Sequence, residues 1–248
     1  MSNSLPYLCA RTILARNFMV LFLLATAFGC AAQQPWSFNL GDFLAAKELP
    51  YDSPPQVIYR IDDHRFVTLE HYRDCNHGET FYHDTKKNFR RKLGIGYFEN
   101  YQGKIINADP SGNNIVLPLA TPPRLVCGDR GCTVVLLYSM DGGKNFQSMV
   151  YMPHSFNPYE DSKQYTILID KNRIYIEKIR QRDSYIVSYP LIPGYDYSGR
   201  ASLPKGAEIQ FDIAMPAELQ TPSGQNRISC DASIKPTNLD APIVRERQ

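Results

Sequence analysis

The stretch that decides the fold reads Cys127-Gly128-Asp129-Arg130-Gly131-Cys132, then Thr133 to Tyr138, then Ser139-Met140-Asp141-Gly142-Gly143-Lys144-Asn145-Phe146. Val134 to Tyr138 is a continuous apolar, β-prone run, which predicts a central strand buried on both faces. The Asp-Gly-Gly that follows is typical of a tight hairpin turn, because glycine accepts positive φ and the aspartate can bond the turn's backbone. Gln147 to Met152 is expected to return as the neighbouring strand.

Short β-prone runs separated by turn residues flank this hairpin on both sides. They are Val57–Ile61, Arg65–Tyr72, Thr80–His83, Ile115–Leu117, Tyr165–Ile169, Arg173–Ile179, Ser184–Leu191 and Glu208–Ile213. The last of these alternates apolar and polar residues, which predicts a half-buried strand. Since no long segment has a 3.6-residue period, we expect a mostly β protein. An antiparallel sandwich and partial propeller-like sheets, each with few short helices, both fit this pattern.

Residues 1–29 have the features of a secretory signal peptide. Arg11 and Arg16 precede the eleven-residue apolar run Phe18–Phe28, and small residues follow it. Eleven residues are too few to cross a membrane, which takes about twenty in a helix. After the signal, we predict a proline-interrupted tether over residues 30–55, a β-rich domain over 56–213, and an irregular tail over 214–248 held mainly through Cys230.

Cys30 stands where a bacterial lipoprotein carries its acylated cysteine. Gly29 before it fits that pattern, whereas Ala27 and Phe28 depart from it. The alternative is ordinary cleavage without a lipid. With Ala31 rather than aspartate after the cysteine, lipidation would place the protein in the periplasm, anchored to the outer membrane by the lipid alone.

The cysteine count predicts two disulfides. Of six cysteines, Cys9 leaves with the signal and Cys30 is consumed by lipid, so four remain in an oxidising compartment. Cys127 and Cys132 form the local pair, because a five-residue separation across a turn can meet the required Cα spacing. Cys75 and Cys230 then pair by elimination.

Composition and motifs argue against several function classes. Removing residues 1–29 takes two arginines and no acid from 27 basic and 25 acidic residues, so the mature chain is neutral and nucleic acid is not an expected partner. Four histidines, at positions 64, 71, 77 and 83, are too loosely spaced for a zinc site. No local signature of a nucleophile, phosphate loop or dinucleotide site occurs, so we expect no catalytic residue and no cofactor.

One motif favours a different class. Ser139-x-Asp141-Gly142-Gly143-x-x-Phe146 is similar to the Asp-box turn of sialidases and other glycan-processing propellers, where the turn is structural. We interpret it as a hairpin stabiliser. A surface glycan-binding or sialidase-like lipoprotein is the alternative, and a structural envelope lipoprotein is a third.

Four motifs together resemble one family. They are Val57 to Phe66, Tyr72-Arg73-Asp74-Cys75, the Cys127–Cys132 loop and the Tyr138–Phe146 turn. Over roughly residues 55–195 the chain resembles the immunity proteins that neutralise type VI secretion lipase effectors of the third class. The resemblance implies a periplasmic inhibitor, often a lipoprotein, that binds a phospholipase delivered by sibling cells and is not itself an enzyme.

The resemblance transfers no binding residue, so candidates come from loops that carry aromatics and acids. Tyrosine is favoured in interface hot spots, and an effector that approaches anionic membranes is expected to present a basic face. The candidate partner-binding residues are Asp62, Asp63, His64, Asp74, Glu79, Tyr159, Glu160 and Asp161. The basic run Lys86–Lys92 is interpreted as a solvated loop, with contact to lipid headgroups as the alternative.

Overall fold

Strands make up most of the regular structure in the computed structural model, which describes residues 51–94, 97–179, 183–199 and 201–239. The strands are β1 (Gln56–Arg60), β2 (Arg65–Asp74), β3 (His77–Asp84), β4 (Phe89–Lys92), β5 (Lys104–Asn107), β6 (Ile115–Pro118), β7 (Cys132–Ser139), β8 (Gln147–Ser155), β9 (Tyr165–Ile169), β10 (Arg173–Ile179), β11 (Ser184–Pro190) and β12 (Gln210–Phe211). The helix α1 (Pro158–Asp161) and 3-10 turns at Phe98–Asn100 and Ser162–Gln164 complete the described elements.

Three sheets result, with strand orders β1-β2-β3-β4, β12-β11-β10-β9-β5 and β6-β7-β8. Neighbouring strands run antiparallel apart from β5 and β9, which pair in parallel. The mostly β fold class is therefore confirmed. Within the described ranges, no helix is both long and apolar enough to span a lipid bilayer.

The predicted hairpin around the Asp-Gly-Gly turn is present, and β7 is the middle strand of its sheet. The expectation that β7 is buried on both faces is wrong. Val134, Leu136 and Tyr138 are buried, whereas Val135 and Leu137 between them are only partly covered. This alternation is the pattern of an antiparallel sheet with one face against the core.

The basic run is partly a strand and not only a loop. Residues 85–88 form the turn, and Phe89–Lys92 then pairs with β3 as the outer strand of its sheet. Charged side chains on an outer strand oppose edge-to-edge pairing with other chains. They also have acidic partners, since Arg90 Nη2 lies 2.6 Å from Glu70 Oε2.

The predicted strand Glu208–Ile213 is also wrong in extent. Only Gln210 and Phe211 pair, with Ser188 and Val187 of β11. Phe211 is 57% exposed, so the alternating pattern does not bury one face. The segment lies at the edge of the five-stranded sheet, and Asp212 with a φ of 52° interrupts the extended backbone directly after it.

Residues from all three sheets contribute to one hydrophobic core, in which several tyrosines are fully buried. The side chain of Asn107, 2% exposed, lies where the sheets meet. Its Oδ1 accepts the N–H of Val116 at 2.7 Å, and its Nδ2 donates to the Val116 carbonyl at 3.1 Å and to the Tyr59 hydroxyl at 3.2 Å. One amide thus joins β5, β6 and β1.

The two predicted disulfides are present. Their Cα atoms are 5.9 Å apart for Cys75 and Cys230, and 5.1 Å apart for Cys127 and Cys132. The expectation that the tail is held mainly through Cys230 is nevertheless wrong. Ser223 and Ser229 donate their backbone N–H groups to Ile61 and Ile58, each at 2.9 Å, and so follow the outer edge of β1.

The tail also reaches the five-stranded sheet, because the carbonyl of Asn226 accepts the N–H of Ile105 in β5 at 2.9 Å. Residues 51–55, the end of the predicted tether, pack on the same body. Ser53 Oγ accepts the N–H of Tyr72 at 2.7 Å, and Asp52 Oδ1 accepts that of Thr237 at 2.7 Å. The predicted signal, Cys30 and the remainder of the tether lie outside the described residues.

Candidate interaction surface

A short loop closed by the Cys127–Cys132 disulfide lies at the start of β7. We call residues 122–132 the stapled loop. Pro122 is buried and its carbonyl accepts the N–H of Leu125 at 3.2 Å, while Gly131 donates to the carbonyl of Gly128 at 2.8 Å. Two consecutive apolar residues precede the first cysteine, and they face solvent: Leu125 is 45% and Val126 is 90% exposed.

The stapled loop rests on an irregular end of β8. Cys132 pairs with Ser155 and Val134 with Met152, so β8 carries one extra residue in this interval. Such a bulge bends the strand and redirects its side chains. His154 accordingly has a φ of 57°, a left-handed value that is uncommon outside glycine. Its Nδ1 donates to the carbonyl of Arg130 at 3.0 Å, which fastens the loop to the strand.

Gly131 is required at this contact. Its φ is 75°, and a Cβ at that position would lie 2.6 Å from the carbonyl carbon of His154. No other residue fits without moving the loop away from β8. The close approach therefore depends on the glycine just before the second cysteine.

Phe156 continues β8 beyond its last paired residue and is 67% exposed. The path from Val126 to Phe156 is short, because the Cys127 and Cys132 Cα atoms are 5.1 Å apart and Cys132 pairs with Ser155. We define the stapled surface as Leu125, Val126, Arg130, His154 and Phe156.

Exposed apolar side chains occur together at this loop. The described residues include eight large apolar side chains with substantial exposure, and Leu125, Val126 and Phe156 lie in the stapled loop or directly after the strand that it rests on. Clustered exposed apolar residues, unlike scattered ones, indicate an interaction site. The rim is charged, since Arg124, Asp129 and Arg130 are exposed on the same loop.

Three of the predicted partner-binding residues lie beside this surface, in α1. Tyr159 is half-buried, with Lys163 Nζ 5.8 Å from its ring centroid. Glu160 is exposed and pairs with Lys163 at 2.6 Å. Asp161 Oδ2 accepts the hydroxyl of Ser155 at 2.6 Å, so its role is to fix α1 against β8.

Asp62, Asp63 and His64 form the turn between β1 and β2. Asp62 is engaged within the turn, with its Oδ2 2.6 Å from an Arg65 guanidinium nitrogen. Partial burial opposes its charged form, but hydrogen bonds from Arg65 and from the His64 N–H outweigh burial and lower the pKa of Asp62. Asp63 and His64 are exposed.

Asp74 lies at the other end of the β2–β3 hairpin, and Glu79 lies between the two ends, opposite Glu70 of β2. Asp74 Oδ1 is 2.7 Å from His77 Nδ1, and Glu79 is buried next to Lys92 and His71. The two ends are about 30 Å apart, given some 3.3 Å per residue over the ten residues of β2. The eight predicted residues therefore occupy three separate places, and the structure brings only Tyr159, Glu160 and Asp161 near the stapled surface.

The Asp-box-like turn is built as a structural unit. Ser139 Oγ donates to Asp141 Oδ1 at 2.8 Å and accepts the Gly143 N–H at 2.9 Å, and Asp141 Oδ1 also accepts the Asn145 N–H at 2.9 Å. A half-open cleft of about 330 Å³ adjoins the turn, lined by Tyr138, Met140, Asp141, Asn145, Gln147, Pro193 and Gly194. The buried side-chain oxygen of Gln147 has no protein partner among the described residues.

No group of three or more histidine, cysteine or acidic side chains within the described ranges is arranged to hold a metal ion. Sequence reasoning missed Leu125 and Val126, because apolar residues are ordinarily assigned to the core. The available signal was their position directly before the first cysteine of a short closed loop.

Comparison with known families gives a match whose range includes the stapled loop, the β2–β3 hairpin and the β7–β8 hairpin. The family described as T6SS Tli3 immunity protein matches residues 51–178. No curated protein matches the chain.

Proposed function

Since the chain belongs to the T6SS Tli3 immunity protein family, whose match spans just over half of it, we propose that it binds and inhibits a phospholipase effector in the periplasm. Family membership makes it a type VI secretion immunity protein and implies a cognate effector as its partner. The class of effector and the compartment are the further steps that we propose.

The disulfides support action outside the cytoplasm. Disulfides persist in oxidising compartments such as the bacterial periplasm and are rare in the cytosol. Two disulfides join cysteines of the mature chain, and one of them joins residues that are 155 positions apart in sequence. The apolar run Phe18–Phe28 and its basic flank are consistent with export to that compartment.

A lipid anchor at Cys30 would place the inhibitor at the surface that a phospholipase attacks. The effector has to reach phospholipid from the periplasmic side, and an inhibitor tethered to the same surface is present at high local concentration. We propose anchoring to the outer membrane on this basis. Metabolic labelling with a fatty-acid probe tests it: wild type should be labelled, and a Cys30→Ser variant should not.

The observation that carries the proposal is the family match together with the exposed stapled surface inside the matched range. A binder needs an accessible, chemically distinct surface, and apolar side chains in water provide one. The mode of action is stoichiometric, because an inhibitor that binds its target is consumed one for one.

Co-expression tests the proposal. We expect the gene beside this chain's own to encode the cognate lipase, and its product is directed to the periplasm with and without this chain. We expect survival only when the immunity protein is present, and recovery of a complex of the two proteins. Equal killing in both strains, with no complex recovered, would contradict the proposed function.

The cleft beside the Asp-box-like turn keeps the glycan alternative testable. The Gln147 oxygen and the Tyr138 ring offer the polar and aromatic contacts that sugars use. The purified chain should neither bind nor hydrolyse sialosides if the immunity function accounts for it. Turnover of a sialoside would favour the alternative.

A further inference from the structure

We propose that the stapled loop acts as a plug, with Val126 entering the apolar cleft in which the lipase effector binds the acyl chain of its substrate. This inference rests on the proposed function and names the surface and the mode of inhibition within it. Blocking the effector's membrane-facing surface is the competing mode.

The first argument is exposure. Val126 is 90% exposed and its neighbour Leu125 is 45% exposed. Other apolar residues of β7 and β8 are buried, so these two face solvent although the adjoining sheet packs on a hydrophobic core. Removing apolar surface from water is favourable, so a partner that covers these side chains gains affinity. Two adjacent, exposed apolar residues in a surface loop are suited to such a partner.

The second argument is rigidity. Val126 directly precedes the disulfide between Cys127 and Cys132, and the residues that follow it are fastened to β8 by the bond from His154 to the Arg130 carbonyl. Arg124 has a φ of 70°, so the chain turns sharply just before the two apolar residues. A loop fixed in this way loses little conformational entropy on binding, which is the usual advantage of a preorganised inhibitor.

The third argument concerns the shape and chemistry of the occupant. A cleft that binds hydrocarbon chains is lined by apolar side chains, and Leu125 and Val126 offer it exposed apolar surface. A second copy of this chain fits less well. A stable dimer buries roughly 800 Å² on each partner, and the three exposed side chains Leu125, Val126 and Phe156 do not offer a self-complementary patch of that size.

The experiment uses the exported chain and the lipase encoded beside its gene. Val126→Asp and Phe156→Ser test the stapled surface. Val57→Asp and Phe211→Ser are the matched controls, because those residues are 43% and 57% exposed on other strands. Affinity is measured by calorimetry, and thermal unfolding confirms that each variant folds.

We expect Val126→Asp to weaken binding about 30-fold or more, since it introduces a charge where an apolar cleft must close. Phe156→Ser should weaken binding by a smaller factor, and the two controls should bind like wild type. If all four variants bind equally, the plug is wrong while the immunity function stands. If the wild-type chain does not bind the lipase, the proposed function fails and the plug with it.

A second measurement separates cleft entry from contact near the cleft. The lipase nucleophile is labelled with a fluorophosphonate that carries either a long alkyl chain or a methyl group. The long chain fills the cleft, so it should abolish binding of this chain, whereas the methyl label should leave binding unchanged. Equal binding to both labelled forms would overturn the plug. Loss of vesicle binding by Val126→Asp, with unchanged lipase affinity, would overturn it too and assign the loop to membrane contact.

Discussion

Ser229 donates its backbone N–H to the carbonyl oxygen of Ile58 at 2.9 Å, and this bond places the C-terminal tail along the outer edge of β1. An uncovered edge strand offers a template for pairing with other chains. Here the tail occupies that position, and through Asn226 it also reaches β5 of another sheet. The tail is therefore part of the fold and not an appendage held by one disulfide.

Removing the long-range disulfide should destabilise the protein without releasing the tail. For Cys75→Ser combined with Cys230→Ser, the loop of 155 residues predicts a loss of up to about 5 kcal/mol in the free energy of unfolding. The tail should stay docked through its backbone bonds. Hydrogen exchange checks this: the amides of Ser223 and Ser229 should remain protected, and rapid exchange at both would show that Cys230 alone holds the tail.

Asn107 is expected to be among the most sensitive buried polar positions. Asn107→Ala leaves the Val116 N–H and carbonyl without their partner in a dry interior, at a cost of about 3 kcal/mol. Chemical denaturation measures it. Asn113→Ala is the matched control, because Asn113 is exposed, and its cost should stay within about 0.5 kcal/mol. A similar small cost for Asn107→Ala would contradict the role assigned to it.

Glu99 should make stability depend on pH. Burial raises the pKa of Glu99 to about 8, and the nearby charge of Asp74 adds to the shift. A carboxyl whose pKa is raised on folding stabilises the fold fully below its ordinary pKa of 4.5, and that contribution is lost as pH rises through 8.

Between these values the free energy of unfolding should fall with a slope approaching about 1.4 kcal/mol per pH unit. Glu99→Gln keeps the shape without the ionisation and should remove most of this slope. Denaturation at several pH values compares the two proteins. An equal slope in both would show that Glu99 ionises without cost in the fold.

How well each element could be predicted depended on how far apart in sequence its stabilising partners lie. Tyr165–Ile169 and Arg173–Ile179 were predicted with their observed bounds, because a hairpin depends on adjacent residues and a turn. β5 was missed because its four residues become a strand only by pairing in parallel with β9, some sixty residues further on. Glu208–Ile213 failed for the opposite reason: its alternation was clear, but at the sheet edge only two residues find partners.

The site was less predictable than the fold. Acidic loops such as Asp62-Asp63-His64 stood out in the sequence, but Asp62 proves to be occupied with stabilising its own turn. The exposure of Val126 does not follow from its residue type, because whether an apolar residue faces core or solvent depends on how its loop is anchored. That anchor is the bulge at His154, which no local pattern predicts.

Opening the short disulfide should weaken effector binding as well as the fold. Combining Cys127→Ser with Cys132→Ser opens the link between two residues five positions apart. The chain-entropy model then predicts a loss of about 2 kcal/mol in the free energy of unfolding. Affinity for the lipase should fall about tenfold, because the loop must then be ordered on binding.

The Cys75→Ser and Cys230→Ser protein is the control for that comparison. It loses more stability, yet it should bind the lipase with unchanged affinity below its unfolding temperature. If opening either disulfide reduced affinity equally, general destabilisation and not the stapled loop would account for the effect.

The most direct test of the immunity function is a titration of phospholipase activity. A fixed amount of the lipase encoded beside this chain's gene is mixed with increasing amounts of the purified, exported chain, and hydrolysis of phospholipid vesicles is followed. We predict a linear fall in activity that ends near one equivalent, as expected for a tight binder that titrates its target. Full lipase activity at a large molar excess of this chain would contradict the account.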